Sequence, residues 1–268
     1  MKKSLLFLCA ALCLLPYLFS CGKPAARTVQ EKDLRKTLTI AVDDYAPYSY
    51  LDENGEFAGI DVELARAACE RIGYTPSFQL VIWNEKDDYL EQGLVDCLWS
   101  CFSMNGRETL YQWVGPYLKS RQVYIVSAAS DIYTPADLSG KTVAVHSGTK
   151  PEQLFLERTE DMPEFKSVYS LSSIDNIFAA LRKGYVDACA THEAIVRSYV
   201  ERDPGRFRVL EQEIYNANLG IAFSNENTDA PVARLETALA EMKQDGTTRA
   251  VLQRYGIDPE KAIPRGAE

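Results

Sequence analysis

From residue 38 onward, short apolar runs alternate with amphipathic helical patterns, and that rhythm runs twice in tandem. Leu38 to Val42 reads as strand, Asp61 to Ile72 as helix, Phe78 to Ile82 as strand and 85 to 92 as helix. Strands over Val95 to Trp99 and Val123 to Ser127 follow. The second series has a strand over Thr142 to Val145, helices over 150 to 158 and Ser173 to Lys183, and a strand over Val186 to Ala190. Such alternation calls for parallel strands covered by helices, an α/β fold. Each series also carries a Gly-x-x-Asp turn into a strand: Gly93-Leu94-Val95-Asp96, then Gly184-Tyr185-Val186-Asp187. In the first helix Asp61 is expected as N-cap, with Leu64, Ala65, Ala68 and Ile72 on one face and Gly73 as the stop. Two tandem α/β units make two lobes with a ligand seat in the cleft between them. A long helical tail over 229 to 255 is expected to return to the first lobe.

With 46% hydrophobic and 25% charged residues the composition is globular. A net charge of -9 without any basic run argues against nucleic acid. The first residues, Met1-Lys2-Lys3-Ser4 followed by an apolar run from Leu5 to Leu15, read as an export signal over 1–20. Leu18-Phe19-Ser20-Cys21 resembles the lipobox of bacterial lipoproteins, which implies Cys21 as the lipidated residue. Residues 21–37 then form a polar tether, roughly 50 Å long when extended at ~3.3 Å per residue. Cys69, Cys97, Cys101 and Cys189 remain in the body without zinc-ligand spacing, so buried free thiols are expected, with no metal.

Several motifs fall in one family's order: Tyr45-Ala46-Pro47-Tyr48, Gly59-Ile60-Asp61-Val62-Glu63-Leu64-Ala65, the two Gly-x-x-Asp turns, Gly106-Arg107-Glu108, Gly115-Pro116-Tyr117, Leu138 to Val145, Ser147-Gly148-Thr149 and Glu241 to Thr247. The chain thereby resembles the family-3 extracellular solute-binding proteins, the polar-amino-acid receptors of ABC importers. The resemblance implies a two-lobed periplasmic-binding-protein-like fold of type II, with lobe 1 over 38–121 plus 219–258 and lobe 2 over 122–218. Its crossing strands would pass near Arg121-Gln122 and Asn216 to Asn218. It further implies a monomer, lipid-anchored outside the cytoplasm, that passes an amino acid or related small carboxylate to an ABC permease and needs no cofactor.

Arg107 follows the strand Val95 to Trp99, where a guanidinium can grip a carboxylate through paired hydrogen bonds; the matching arginine in the family holds the ligand carboxylate. Ser100, Cys101 and Ser103 match the segment that supplies hydroxyl and amide contacts, with Cys101 the weaker donor. Tyr45 and Trp83 match positions whose flat faces sandwich the ligand. The turn after Thr142 to Val145 leads into a helix, offering Thr149 and Lys150 as an anion seat. His192 stands where amino-acid binders of the family place an aspartate for the ammonium group, with Glu193 adjacent as a substitute. Two readings of the histidines stand side by side: with Arg107 and Lys150, His146 and His192 make the pocket more cationic, and a protonated His192 favours acidic ligands below pH ~6.5, or both are partly buried polar residues near the hinge. Two other readings use the same fold: a receptor that signals through a membrane sensor, and a dehydratase-like cleft enzyme with Glu85 or Glu193 as acid. No Ser/His/Asp arrangement supports the enzyme.

Overall fold

The computed structural model describes residues 36–159 and 162–265. The signal over 1–20, Cys21 and the tether up to residue 35 lie outside the described residues. The chain runs through β1 (Lys36–Val42), a hairpin of β2 (Tyr50–Leu51) and β3 (Phe57–Ala58), α1 (Ile60–Ile72), β4 (Tyr74–Leu80), α2 (Lys86–Glu91), β5 (Cys97–Leu98) and β6 (Gln112–Ser127). Then come β7 (Thr142–His146), α3 (Lys150–Glu157), β8 (Ser167–Leu171), α4 (Ile174–Arg182), β9 (Ala188–His192), α5 (Glu193–Arg202) and β10 (Phe207–Phe223). Helices α6 (Val232–Gln244), α7 (Thr247–Arg254) and α8 (Pro259–Ala262) close the fold.

Eight strands form one sheet in the order β4-β1-β5-β10-β6-β9-β7-β8. β1 pairs in parallel with β4 and β5, and β7 in parallel with β8 and β9, so the sheet consists of two parallel halves. The antiparallel pair β6 and β10 lies between them and belongs to both: Ala222 pairs with Leu98 on one side, and Gln122 with His192 on the other.

The two Gly-x-x-Asp turns do the same job in each half. Asp96 Oδ2 accepts the Thr39 amide at 2.6 Å, and the Asp96 amide donates back to the Thr39 carbonyl at 2.8 Å. Asp187 Oδ2 accepts the Thr142 amide at 2.7 Å, and the Asp187 amide returns to the Thr142 carbonyl at 2.9 Å. In both cases a carboxylate closes the start of a parallel strand pair where ladder bonding has not begun.

Several elements differ from the sequence expectation. β6 begins at Gln112, well before Val123, and β10 carries the polar run Glu211-Gln212-Glu213 that masks a strand pattern. Of that run only Glu213 pairs with β6, opposite Val123; Leu210 to Gln212 bulge out of the ladder, and Arg121 donates to the Glu211 carbonyl. β4 starts at Tyr74 because it pairs with β1 along the whole of that strand, and Lys36 and Thr37, assigned to the tether, belong to β1. α5 follows β9 directly and buries Ile195, Val196 and Tyr199. The tail breaks at Gly246, whose φ of 86° no other residue type adopts at low cost.

Asp61 does not cap α1, which begins one residue earlier. Its carboxylate accepts the Cys101 amide at 2.6 Å and the Tyr117 hydroxyl at 2.9 Å. The tail helices α6 and α7 pack on α1. Tyr255 pins them there, donating to Glu63 Oε1 at 2.7 Å and accepting the Gly59 amide at 3.1 Å. The four body cysteines are free and buried.

Candidate functional site

The C-terminal ends of β1, β5 and β9, the start of α3 and the middle of β6 and β10 converge on one small cavity. Its lining is Asp43, Tyr45, Trp83, Ser100, Cys101, Phe102, Ser103, Arg107, Gln122, Thr149, Lys150, His192 and Tyr215. Nine of the ten residues expected from the sequence are thus brought together; His146 alone lies outside, against a neighbouring pocket with Asp43, Asp44 and Trp83. The cavity holds about 20 Å³, room for a water or two. An amino acid is larger than that volume. A groove of about 590 Å³ behind the crossing strands, between α5 and the C-terminal helices, is larger but is walled mainly by apolar side chains and surface ion-pairing groups.

Hydrogen bonding separates struts from free groups. Ser49 Oγ donates to the Asp43 carbonyl at 2.8 Å, so the 2.6 Å contact between Ser49 and Ser100 takes its proton from Ser100. Ser100 Oγ in turn accepts the Asp43 amide at 3.0 Å, which commits the hydroxyl to shaping the end of β1. Ser103 donates to Asn105 Oδ1 at 3.1 Å, and Thr149 to the His146 carbonyl at 2.6 Å. The amide of Gly148, just ahead of α3, is taken by Glu152 Oε2 at 2.6 Å, so part of the expected anion seat is filled from within.

The groups left over were mostly not singled out from the sequence. Gln122 Oε1, the Tyr215 hydroxyl and His192 Nδ1 are buried without a well-formed hydrogen bond, although Ser103 and Gln122 stand close to the Tyr215 hydroxyl. Buried polar atoms are nearly always paired, so three orphans lining one cavity mark a place for a polar ligand. Gln122 and Tyr215 sit opposite one another on the crossing strands. Only their central position in the cleft, not their residue type, could have pointed to them.

Arg107 is held by its neighbours: its amide donates to the Met104 carbonyl at 2.8 Å, its carbonyl accepts Trp113 Nε1 at 2.9 Å, and its guanidinium lies 5.1 Å from the Phe102 ring centre. The guanidinium itself reaches only the Ser103 carbonyl, at 3.5 Å. Trp83 packs edge-on to Phe102, with ring centres 5.4 Å apart. Tyr45 touches the histidines edge-on and bonds Thr191 Oγ1 at 2.8 Å. Cys101 adopts φ 49°, in the left-handed region that favours glycine. The Asp61 carboxylate holds it there, and burial pushes its thiol pKa well up, so it stays neutral.

Two electrostatic expectations are corrected. Burial lowers the His192 pKa to about 3 and also lowers that of His146, so neither ring adds positive charge near neutral pH. His192 Nε2 meets the Gln122 amide nitrogen at 2.6 Å, which fits a neutral ring accepting there. Glu193 does not turn into the cavity; it pairs with Arg121 at 2.8 Å on the far side of the crossing strands. The carboxylate in the cavity is Asp43, at the end of β1, and burial raises its pKa to about 7. His146 Nε2 lies 3.6 Å from it.

The profile of the bacterial extracellular solute-binding proteins, family 3, matches residues 38–258. Over 217 residues the chain is 27% identical to ABC transporter arginine-binding protein 1 of Escherichia coli (strain K12), covering 79% of this chain and 86% of that protein. It is also 27% identical over 220 residues to the histidine-binding periplasmic protein of Salmonella typhimurium, covering 79% of this chain and 84% of that protein. Among solved structures, an ancestral arginine-binding protein bound to arginine superposes with a TM-score of 0.75 at 26% identity, over 82% of this chain and 98% of that one. The fold is the periplasmic-binding-protein-like α/β fold of these structures. The proteins are solute binders and not enzymes, and Glu85, an acid considered from the sequence, is exposed outside the cavity.

Proposed function

We propose, for a chain that belongs to the bacterial extracellular solute-binding proteins of family 3, that it captures an α-amino acid and delivers it to an ABC permease. The observation that carries this reading is the buried Arg107 guanidinium, which among the described residues forms no ion pair and faces a cavity with three orphaned polar atoms. A ligand carboxylate satisfies it through paired charge-assisted hydrogen bonds. Asp43, on the same cavity wall as the end of β1, receives the ammonium group in place of the aspartate missing at His192. Gln122, Tyr215 and His192 complete the polar contacts, while Tyr45 and Trp83 exclude water.

Lobe 1 over 38–121 plus 219–258 and lobe 2 over 122–218 rotate about β6 and β10 to open and close on the ligand. The continuity of those two strands through both halves of the sheet supports this. Export through residues 1–20 and lipidation at Cys21 put the protein on the outer face of the cell membrane, where it acts as a monomer like the family it belongs to. Its test is a thermal-shift panel of the twenty amino acids on the full-length chain. A ligand that binds only the folded state raises its melting temperature. At least one amino acid should do so, and the reading fails if none does.

A further inference from the structure

Among the residues that line the cavity, cations outnumber carboxylates. Arg107 comes from the loop after β5 and Lys150 from the first turn of α3, on opposite sides of the cleft. A Cβ on Gly106 would lie 2.9 Å from Lys150 Nζ, so the ammonium rests against the backbone next to Arg107. Lys150 donates to Gln153 Oε1 at 3.1 Å, and among the described residues neither cation is in an ion pair. Glu108, Glu152 and Glu157 stand outside the lining, bonded to the Gly106 amide, the Gly148 amide and the Gln153 side chain; their charges attract Lys150 and Arg107 through space, but none contacts either cation. Lys86, behind Trp83, pairs with Asp87 at 3.3 Å. Asp43 is the one carboxylate in the lining, while His192 is neutral and Cys101 a thiol.

Two positive groups thus face one negative group. A neutral amino acid brings one charge of each sign and leaves the half-buried Lys150 with only Gln153 as a hydrogen-bond partner among the described residues. A basic amino acid adds to the excess. An amino acid with two acidic groups gives each of the two cations a carboxylate partner. We propose that the ligand is an α-amino acid bearing a second acidic group, whose α-carboxylate meets Arg107, whose ammonium meets Asp43 and whose side-chain acid meets Lys150. This rests on the amino-acid-binding reading and narrows it, away from the arginine and histidine named for the relatives.

Titration calorimetry of the full-length chain at pH 7.5 with L-glutamate, L-aspartate, L-glutamine, L-asparagine, L-arginine and L-histidine tests it. One acid should bind at least tenfold more tightly than its amide. Lys150→Gln should bring that ratio toward one, and Lys150→Arg should preserve it; the unliganded melting temperature checks that each variant is folded. An amide binding as tightly as its acid, or arginine or histidine binding while both acids are silent, overturns the charge assignment and leaves the amino-acid reading in place. Silence from all six, together with a flat panel of twenty, overturns both.

Discussion

The Tyr45 hydroxyl and Thr191 Oγ1 are 2.8 Å apart, although one residue follows β1 and the other lies near the end of β9. These elements belong to opposite halves of the sheet, so the bond joins them only when the halves are close. Removing the hydroxyl with Tyr45→Phe leaves the ring and its contacts with both histidines. The net worth of such a bond is about 1 kcal/mol, so amino-acid affinity should fall about fivefold in calorimetry. An unchanged affinity would mean that the contact does not contribute to closure.

Gly148 is a second closing contact, made by backbone. It has φ +78°, and a Cβ there would stand 2.8 Å from Asn84 Cα and 3.1 Å from the Trp83 carbonyl oxygen, across the cleft. Neither neighbour is a flexible side-chain end that could move aside. Gly148→Ala should therefore hold the halves apart and weaken binding more than tenfold. Small-angle scattering of the ligand-saturated variant should still show the larger radius of the open form.

Arg107→Ala should be the most damaging change in the cavity. Losing one partner of a buried charge pair costs about 2–5 kcal/mol, a weakening of roughly 30-fold to several thousand-fold. Arg107→Lys keeps the charge without the two-pronged geometry and should fall between. Affinity within threefold of the parent in Arg107→Ala would remove Arg107 from the binding site.

The paired turns give a prediction about stability. Asp187 takes both the amide and the hydroxyl of Thr142 at 2.7 Å. Partial burial raises its pKa, but these bonds outweigh that and leave the pKa below the usual 3.8. With the folded pKa below the unfolded one, the carboxylate stabilises the fold above pH ~4 and loses that contribution as pH falls through the folded value. Asp187→Ala leaves the Thr142 amide short of its partner and should cost about 1–3 kcal/mol in denaturant unfolding at pH 7. The cost should shrink in acid; an equal cost at pH 3 would show that the carboxylate's charge plays no part.

The same turns show why so much of the fold was legible. Gly93 to Asp96 and Gly184 to Asp187 are local signals, and each carboxylate acts on the neighbouring strand in the way its position suggests. β10 was illegible because Glu211-Gln212-Glu213 has no strand pattern and bulges from the ladder, so the strand continues through it only by pairing with β6 on either side, a long-range cause. In the site, residue types with one obvious use, such as Arg107 and Trp83, could be placed from their motifs. Asp43 was hidden because nothing in the sequence sets it apart from Asp44 beside it; its meaning comes from burial beside His146 and Ser100. The hydroxyls of Ser100, Ser103 and Thr149 were readable as cavity residues, but their commitment to Ser49, Asn105 and the His146 carbonyl depends on atoms placed by tertiary packing.

Asp43 also reverses the pH dependence expected from the histidines. Its pKa is pushed up to about 7 chiefly by burial, with the Asp44 amide opposing the rise and the Asp44 charge adding to it. In the free protein Asp43 is therefore largely protonated below pH 7, whereas an ammonium group requires the carboxylate. Binding then releases a proton, and affinity should weaken as pH falls from 7 toward 5, by at most about tenfold per unit, the limit for a single linked proton. His192 does not oppose this trend, because burial keeps it neutral down to about pH 3. Calorimetry at pH 6 in buffers of different ionisation enthalpy should detect the released proton, and Asp43→Asn should flatten the profile while weakening binding at pH 7.5. Tighter binding at pH 5.5 than at 7.5 would return the pH response to a histidine and remove Asp43 as the ammonium partner.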